Sequence, residues 1–405
     1  MAVSSGQRGS PNLPRAVALA VVMALGFACG TDGATDLGSF EGIDLSEAQQ
    51  FSFPAWPEVQ HVTGMERLPG ERAAGPELLF HGIRDVHVSD DGTFYVAHGG
   101  SHEVVALDPG GPVLWRAGRE GEGPGEFQVM GGVQGWTGDT LVILDGVRPR
   151  ASFLTSSGEF SRVASAVPEV PEPEWPVALL VPARPIGVAP DGRILFEGPT
   201  RVPREGSPGL RRGRTPLTLV PPSPDGSGPE VVADLPGIRA YELRTPQVFA
   251  AILAPMSVTS PLAVSREGIA WARADAFQVI LFDFGGRGLR VFSVDEGLDP
   301  VTPELRADYL EEAWRPWFQV DGPVPFPSHV PAFDRVFLSW EGDVWARRFH
   351  WGERAQVWAR FSAEGGGLDV YRLPTGVTVM AAAGGLAYGV YRDEMDVEHL
   401  VRIPL

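Results

Sequence analysis

The chain contains no lysine: all 33 of its basic residues are arginine. Its single asparagine is Asn12 and its single cysteine is Cys29. Without lysine there is no amine for Schiff-base chemistry and no P-loop ammonium, and without asparagine after residue 12 there is no downstream N-glycosylation acceptor. One cysteine cannot build a thiolate zinc site, and the eight histidines show neither HxH nor HExxH spacing. No GxSxG nucleophile elbow occurs. Acids outnumber arginines 51 to 33, for a formal net charge of −18. A field of that sign repels phosphate backbones, and no basic stripe opposes it, so nucleic acid is excluded as a partner class.

Glycine and proline are plentiful instead, at 50 and 38 of 405 residues, and they are spread along the chain. That distribution suits many tight turns between short strands. The 43% of hydrophobic residues is enough for a sizeable core.

Residues 1–15 are polar, carry Arg8 and Arg15 and hold no acid, while residues 16–28 (AVALAVVMALGFA) are apolar or small throughout. The apolar run is too short to cross a bilayer core of ~30 Å as a helix but fits the h-region of a secretory signal. Gly26-Phe27-Ala28 supplies a small-x-small cleavage pattern. Residues 1–28 are therefore expected to form a signal peptide cut just before Cys29. A lone cysteine directly after an export leader resembles the bacterial lipobox, although Gly26 stands where that pattern has Leu, Val or Ile. The resemblance implies diacylation of Cys29 and a membrane-anchored protein of the cell envelope. Residues 29–50 have the Gly/Asp/Ser character of a flexible tether.

Past the tether the chain repeats. A turn glycine, an apolar strand and a second apolar strand recur six times, with the glycines at Gly92, Gly138, Gly192, Gly268, Gly342 and Gly385. The shorter intervals, about 43 to 54 residues, fit one four-stranded propeller blade each. Segments such as LVIL and VILF are apolar at every position, as in a sheet covered on both faces. A single such sheet cannot bury both faces, so the copies must stack, and closing the stack removes its ends. The expected fold is all-β, a six-bladed β-propeller over residues 51–405. Residues 57–80 supply one or two strands ahead of the first copy, the N-terminal strand completing the last blade. The segment TPELRADYLEEAW (302–314) predicts a short helix between blades 4 and 5, with Thr302 as cap and Leu305 and Tyr309 on one apolar face. After it, Trp314, Trp317 and Phe318 are expected to pack on the rim.

Gly118-Arg119-Glu120-Gly121-Glu122-Gly123-Pro124-Gly125-Glu126-Phe127 resembles the G-x-G-x-G-P-G-E-F signature that follows the first blade in bacterial six-bladed β-propeller lipoproteins related to NHL repeats. The resemblance covers roughly residues 55–405. It implies a six-bladed ring and an exported, lipid-anchored protein, and it implies no activity.

Counting back eight and seven residues from each turn glycine reaches the start of each innermost strand, at Arg84-Asp85, Met130-Gly131, Arg184-Pro185, Ser260-Pro261, Asp334-Arg335 and Val377-Thr378. Arg84, Asp85, Arg184, Asp334 and Arg335 come from copies one, three and five, and His81 and His87 lie nearby. Converging arginines suit a small anionic ligand, and the same pattern also suits structural ion pairs between blades. Only two acids and no asparagine stand at these starts, against the about six to eight oxygens a hard cation needs, so neither metal nor cofactor is expected. The expectation is an exported module, acting as a monomer, that binds a small anionic ligand or a protein partner. The alternative is a propeller hydrolase or lyase acting on sugars or lactones at the channel mouth.

Overall fold

The computed structural model describes residues 41–68, 80–136, 138–146, 148–165, 183–200, 210–222, 228–244, 249–258, 260–314, 324–352 and 355–405. The leader, Cys29, the first part of the tether, Trp317 and Phe318 lie outside them. The described chain is almost entirely β with one short helix, and its architecture is that of a β-propeller.

Local turn chemistry begins each unit. In Ser89-Asp90-Asp91-Gly92, the Asp91 carboxylate accepts from Ser89 Oγ (2.7 Å) and from the Thr93 amide (3.0 Å). Gly92 closes the turn at φ +82, where a Cβ would be strained. The same arrangement returns at Asp191-Gly192, where the Arg193 amide donates to Asp191 (3.0 Å). Each such turn joins the first two, antiparallel strands of a sheet, and the described residues form six sheets.

In chain order the sheets begin with Ile83–Val88, Met130–Gly135, Arg184–Val188, Leu262–Ser265, Phe333–Leu338 and Val377–Ala383. The first of these strands touches the second, the third the fourth, the fourth the fifth, the fifth the sixth and the sixth the first. The third also packs on Thr140–Asp145, the second strand of the sheet before it.

No single central core exists; each pair of neighbouring sheets closes its own apolar layer. In Thr140–Asp145, Leu141 and Ile143 face the layer shared with the first sheet, whereas Val142 and Leu144 face the layer shared with the third. This is why the strand is apolar at consecutive positions rather than alternating. At about 1.5–3 kcal/mol for each fully buried aliphatic side chain, both faces of every inner strand stabilise the stack.

The GREGEGPGEF segment links the first and second sheets, and its residues act locally. Glu126 accepts from the amides of Glu122 (3.0 Å) and Gly123 (2.8 Å) and from Arg119 Nε (2.8 Å). A Cβ on Gly118 would come within 2.7 Å of the Phe127 ring, which is fully buried. From the second sheet, Arg150 donates to the carbonyls of Glu122 (2.9 Å) and Glu126 and to the buried Asp145 carboxylate (3.0 Å). The segment is a structural knot at a sheet junction.

The N-terminal segment runs along three sheets rather than one. Gln49–Phe53 adds a parallel fifth strand to the fourth sheet, and Val59–His61 adds one to the fifth. Glu66–Arg67 then pairs antiparallel with Glu398–Pro404 and completes the sixth sheet. Of the strands expected in residues 57–80, Val59–His61 therefore belongs to the fifth sheet, and the completing strand is Glu66–Arg67. Residues 41–50, read from composition as tether, are bonded to the body: Glu41 bridges Asp234, and the Asp44 amide donates to Gly286 O (2.8 Å). Composition cannot reveal such a strap, because its bonds are backbone bonds to distant strands. Trp56 anchors it edge-on to Phe277 (5.1 Å), with the Arg348 guanidinium over its ring (4.7 Å).

The insertion between the fourth and fifth sheets is a helix, Pro303–Tyr309, continuing as a π-helical turn over Leu310–Trp314. Thr302 caps it by accepting from the Leu305 amide (3.2 Å). Leu305 and Tyr309 pack on Met256, Val301 and Phe326.

Candidate functional site

The channel wall is made by β-bulges. In the first strand of the first sheet, Ile83 pairs with His98 and Asp85 with Ala97, which leaves Arg84 as the extra residue. The bulge shifts the alternation by one place: Ile83, Val86 and Val88 enter the core while Asp85 and His87 turn to the axis. A bulge at Asp334 does the same in the fifth sheet, sending Phe333 and Val336 to the core and Arg335 to the axis. Gly131, Ile186 and Met380 are the extra residues of the second, third and sixth sheets.

The first strands enclose a cavity of about 1260 Å³, and Arg84, Asp85, His87, Arg184, Asp334 and Arg335 all line it. His81 does not. It lies outside the cavity, exposed, with its amide donating to His98 Nε2 (3.1 Å). Of the other counted-back positions, Met130 is buried in the core, and Ser260 donates its hydroxyl to the Pro236 carbonyl.

Two of the charged residues are neutralised by partners on the second strands. Asp334 accepts both Nε (2.7 Å) and Nη2 (3.0 Å) of Arg347, a bidentate pair. Arg184 donates to Glu197 (2.8 Å), its direct partner across the hairpin. Glu197 is 2% exposed, so this pair keeps a buried carboxylate compensated. The spacing is the same in both pairs, Arg184 and Asp334 standing eight residues before their turn glycine and Glu197 and Arg347 five after it, so the turn glycines pointed to both partners.

Asp85 and Arg335 are different. Asp85 Oδ1 accepts from the Val86 amide (3.0 Å) and Oδ2 from the Val133 amide (3.1 Å), tying the first sheet to the second. Gly132 makes the room, since a Cβ there would stand 3.0 Å from Asp85 Oδ2. Burial pushes the Asp85 carboxyl up to about 6, against the opposing pull of the two amides and of Arg335. Burial also lowers the Arg335 guanidinium, helped by Arg347 and opposed by Asp85 and Asp334. Arg335 forms no hydrogen bond or ion pair within 4 Å to a described residue, its neighbour Asp334 being taken by Arg347.

His87 lies two residues further along the strand. Burial pushes its imidazole down to about 4, so it is neutral at physiological pH. Its ring stacks on Tyr95 (6.2 Å) and meets Trp340 edge-on (6.2 Å), and it hydrogen-bonds no described residue. Gly135 is what admits it: a Cβ there would stand 2.6 Å from His87 Nε2. The glycines of MGGVQG thus hollow the second sheet for the two polar side chains of the first. Among the described residues no group of three or more His, Cys, Asp or Glu comes together as for a metal ion, and no helix is long and apolar enough to cross a membrane.

No protein-family model matches this sequence, and no curated protein is significantly similar to it. Solved structures do resemble it in shape. A protein of Bacteroides fragilis shares 8% identity over 88% of this chain and 99% of its own, with a TM-score of 0.48. Virginiamycin B lyase of Staphylococcus aureus shares 10% over 84% and 98%, with a TM-score of 0.38. The calcium-binding protein regucalcin of Agrobacterium tumefaciens shares 12% over 88% and 95%, with a TM-score of 0.35. The architecture described above rests on the chain's own sheets and not on these likenesses.

Proposed function

We propose that the chain is an exported, lipid-anchored, monomeric β-propeller of six blades whose axial cavity binds a small anionic ligand through Arg335. Closure into a ring is supported by the contact of the sixth sheet with the first and by the completion of the sixth sheet with Glu66–Arg67. The leader and Cys29 support the anchor. The binding reading is carried by one observation: Arg335 faces the cavity as a half-buried cation with no hydrogen-bonded partner among the described residues, whereas Asp334 and Arg184 on the same wall are ion-paired. A desolvated guanidinium presents its fork of donors to a carboxylate or phosphate. Exposed Arg84 stands at the rim to assist.

Calorimetric titration of the detergent-extracted chain with citrate, succinate, glucuronate and phosphate tests this. The expected result is saturable binding of at least one of these anions, lost in Arg335→Ala and retained in Arg184→Ala. Absence of binding, or equal binding by Arg335→Ala, would overturn it. The mass of the membrane-extracted protein, and release of Cys29→Ser into the soluble fraction, test the anchor.

A further inference from the structure

The cavity has a second mouth, at the end of the first strands away from the bulges. Arg335 and Trp340 stand five positions apart along the fifth sheet, a separation of about 16 Å at strand rise. Asp90, Asp139, Arg266, Glu267 and Trp340 line this end.

Trp340 is the unusual residue. It keeps 43% of its surface exposed, although indoles are costly to leave in water. It is nonetheless held in place. Its amide donates to the Ala382 carbonyl of the sixth sheet (3.3 Å), the Arg266 guanidinium of the fourth sheet lies over its ring (5.7 Å), and His87 of the first sheet meets it edge-on (6.2 Å). A residue whose backbone is tied to one sheet and whose indole is held by side chains of two others, yet open to solvent, is a platform rather than a loose surface residue. Beside it, sunk in the channel wall, is the neutral His87 ring, which hydrogen-bonds no described residue. The carboxylates of Asp90, Asp139 and Glu267 likewise make no hydrogen bond to a described residue, whereas that of Asp91 is used by its own turn.

We propose that the Trp340 mouth is a binding site for a neutral carbohydrate. The charges select this class. Arg266 already occupies the cation seat on the indole, so an organic cation finds no vacant cation–π seat on that face. Three carboxylates repel an anion, which separates this mouth from the Arg335 end. A neutral pyranose meets neither obstacle. Its C–H face lies on the open part of the indole, its hydroxyls donate to the carboxylates, and the neutral imidazole both donates and accepts. The site is independent of the anion reading, since no residue is shared.

The test is calorimetric titration of the detergent-extracted full chain with glucose, galactose, mannose, N-acetylglucosamine, cellobiose and maltotriose, with choline and spermidine as cationic controls. At least one saccharide is expected to bind. Its affinity should fall tenfold or more in Trp340→Ala and in His87→Ala, fall far less in Trp340→Phe, and stay within twofold in Arg335→Ala. Trp340 is exposed, so its variants are expected to melt like the parent, and the His87→Ala melt checks that variant's fold. Failure of every saccharide to bind, binding unaffected by Trp340→Ala, or binding of choline or spermidine in place of the sugars would each overturn the proposal. Loss of anion binding alone would leave it standing.

Discussion

Replacing Asp85 by asparagine isolates one buried charge. Asp85 carries its proton up to about pH 6 in the folded chain, against an ordinary value of 3.8. Below about pH 3.8 the carboxyl is protonated folded or unfolded, and its charge costs nothing. Between 3.8 and 6 the folded chain holds a proton that the unfolded chain has released, so stability falls as pH rises; above 6 the full cost is present. The difference corresponds to about 3 kcal/mol. The carboxyl keeps some contact with cavity water, so about 2–3 kcal/mol is expected. Asparagine removes the titration but accepts only one of the amides of Val86 and Val133 well, a constant penalty of about 1–2 kcal/mol. Only the pH-dependent part is diagnostic. Relative to the parent, Asp85→Asn should gain about 2–3 kcal/mol between pH 4 and pH 7, roughly 3–4 °C in melting temperature for a body of this size. Paired thermal melts in low-salt buffers from pH 4 to 8 read it. Parallel curves for the two proteins across that range would refute the buried-charge account of Asp85.

Three further outcomes follow from other parts of the molecule. Anion binding at Arg335 should tighten severalfold as pH falls through about 6, because protonation of Asp85 removes the negative charge that competes for the guanidinium; dissociation constants at pH 5 and 7.5 measure this, and Asp85→Asn should flatten the profile. Arg150→Ala should cost about 3 kcal/mol in urea unfolding by breaking the buried pair with Asp145 and releasing the Glu122 and Glu126 carbonyls, with Arg150→Lys recovering little of it. Trp56→Ala should destabilise by about 3–5 kcal/mol in the same assay, because the indole fixes the N-terminal strap against Phe277, Phe333 and Phe361.

Legibility in the sequence followed the range of the interactions. The hairpin turns are local, so Asp91-Gly92 and Asp191-Gly192 announced themselves, as did the two-faced strands between apolar layers. The helix announced itself through Thr302, Pro303 and the spacing of Leu305 and Tyr309. The strap was read only in part: strands were expected in residues 57–80, where Val59–His61 and Glu66–Arg67 lie, but Gln49–Phe53 was not, and the partner sheets lie more than 200 positions away. Segments that short carry no periodicity to read.

The site was half legible for a related reason. Counting back from the turn glycines found Arg84-Asp85 and Asp334-Arg335 because both strands carry their bulge eight residues before the glycine. In the sixth sheet the bulge is at Met380, five residues before Gly385, so Val377 and Thr378 are not equivalent positions. A bulge inverts which side chains meet the axis, and nothing in a run of apolar residues marks where it falls. Charge pairing obeys the same logic. Glu197 takes Arg184 and Arg347 takes Asp334 at the same offsets from their turn glycines, and the second capture leaves Arg335 without a carboxylate of its own. The unpaired state of Arg335 is thus a consequence of the bulge as much as of the arginine: Asp334→Ala removes a negative charge beside Arg335 and should tighten anion binding in the same calorimetric titration.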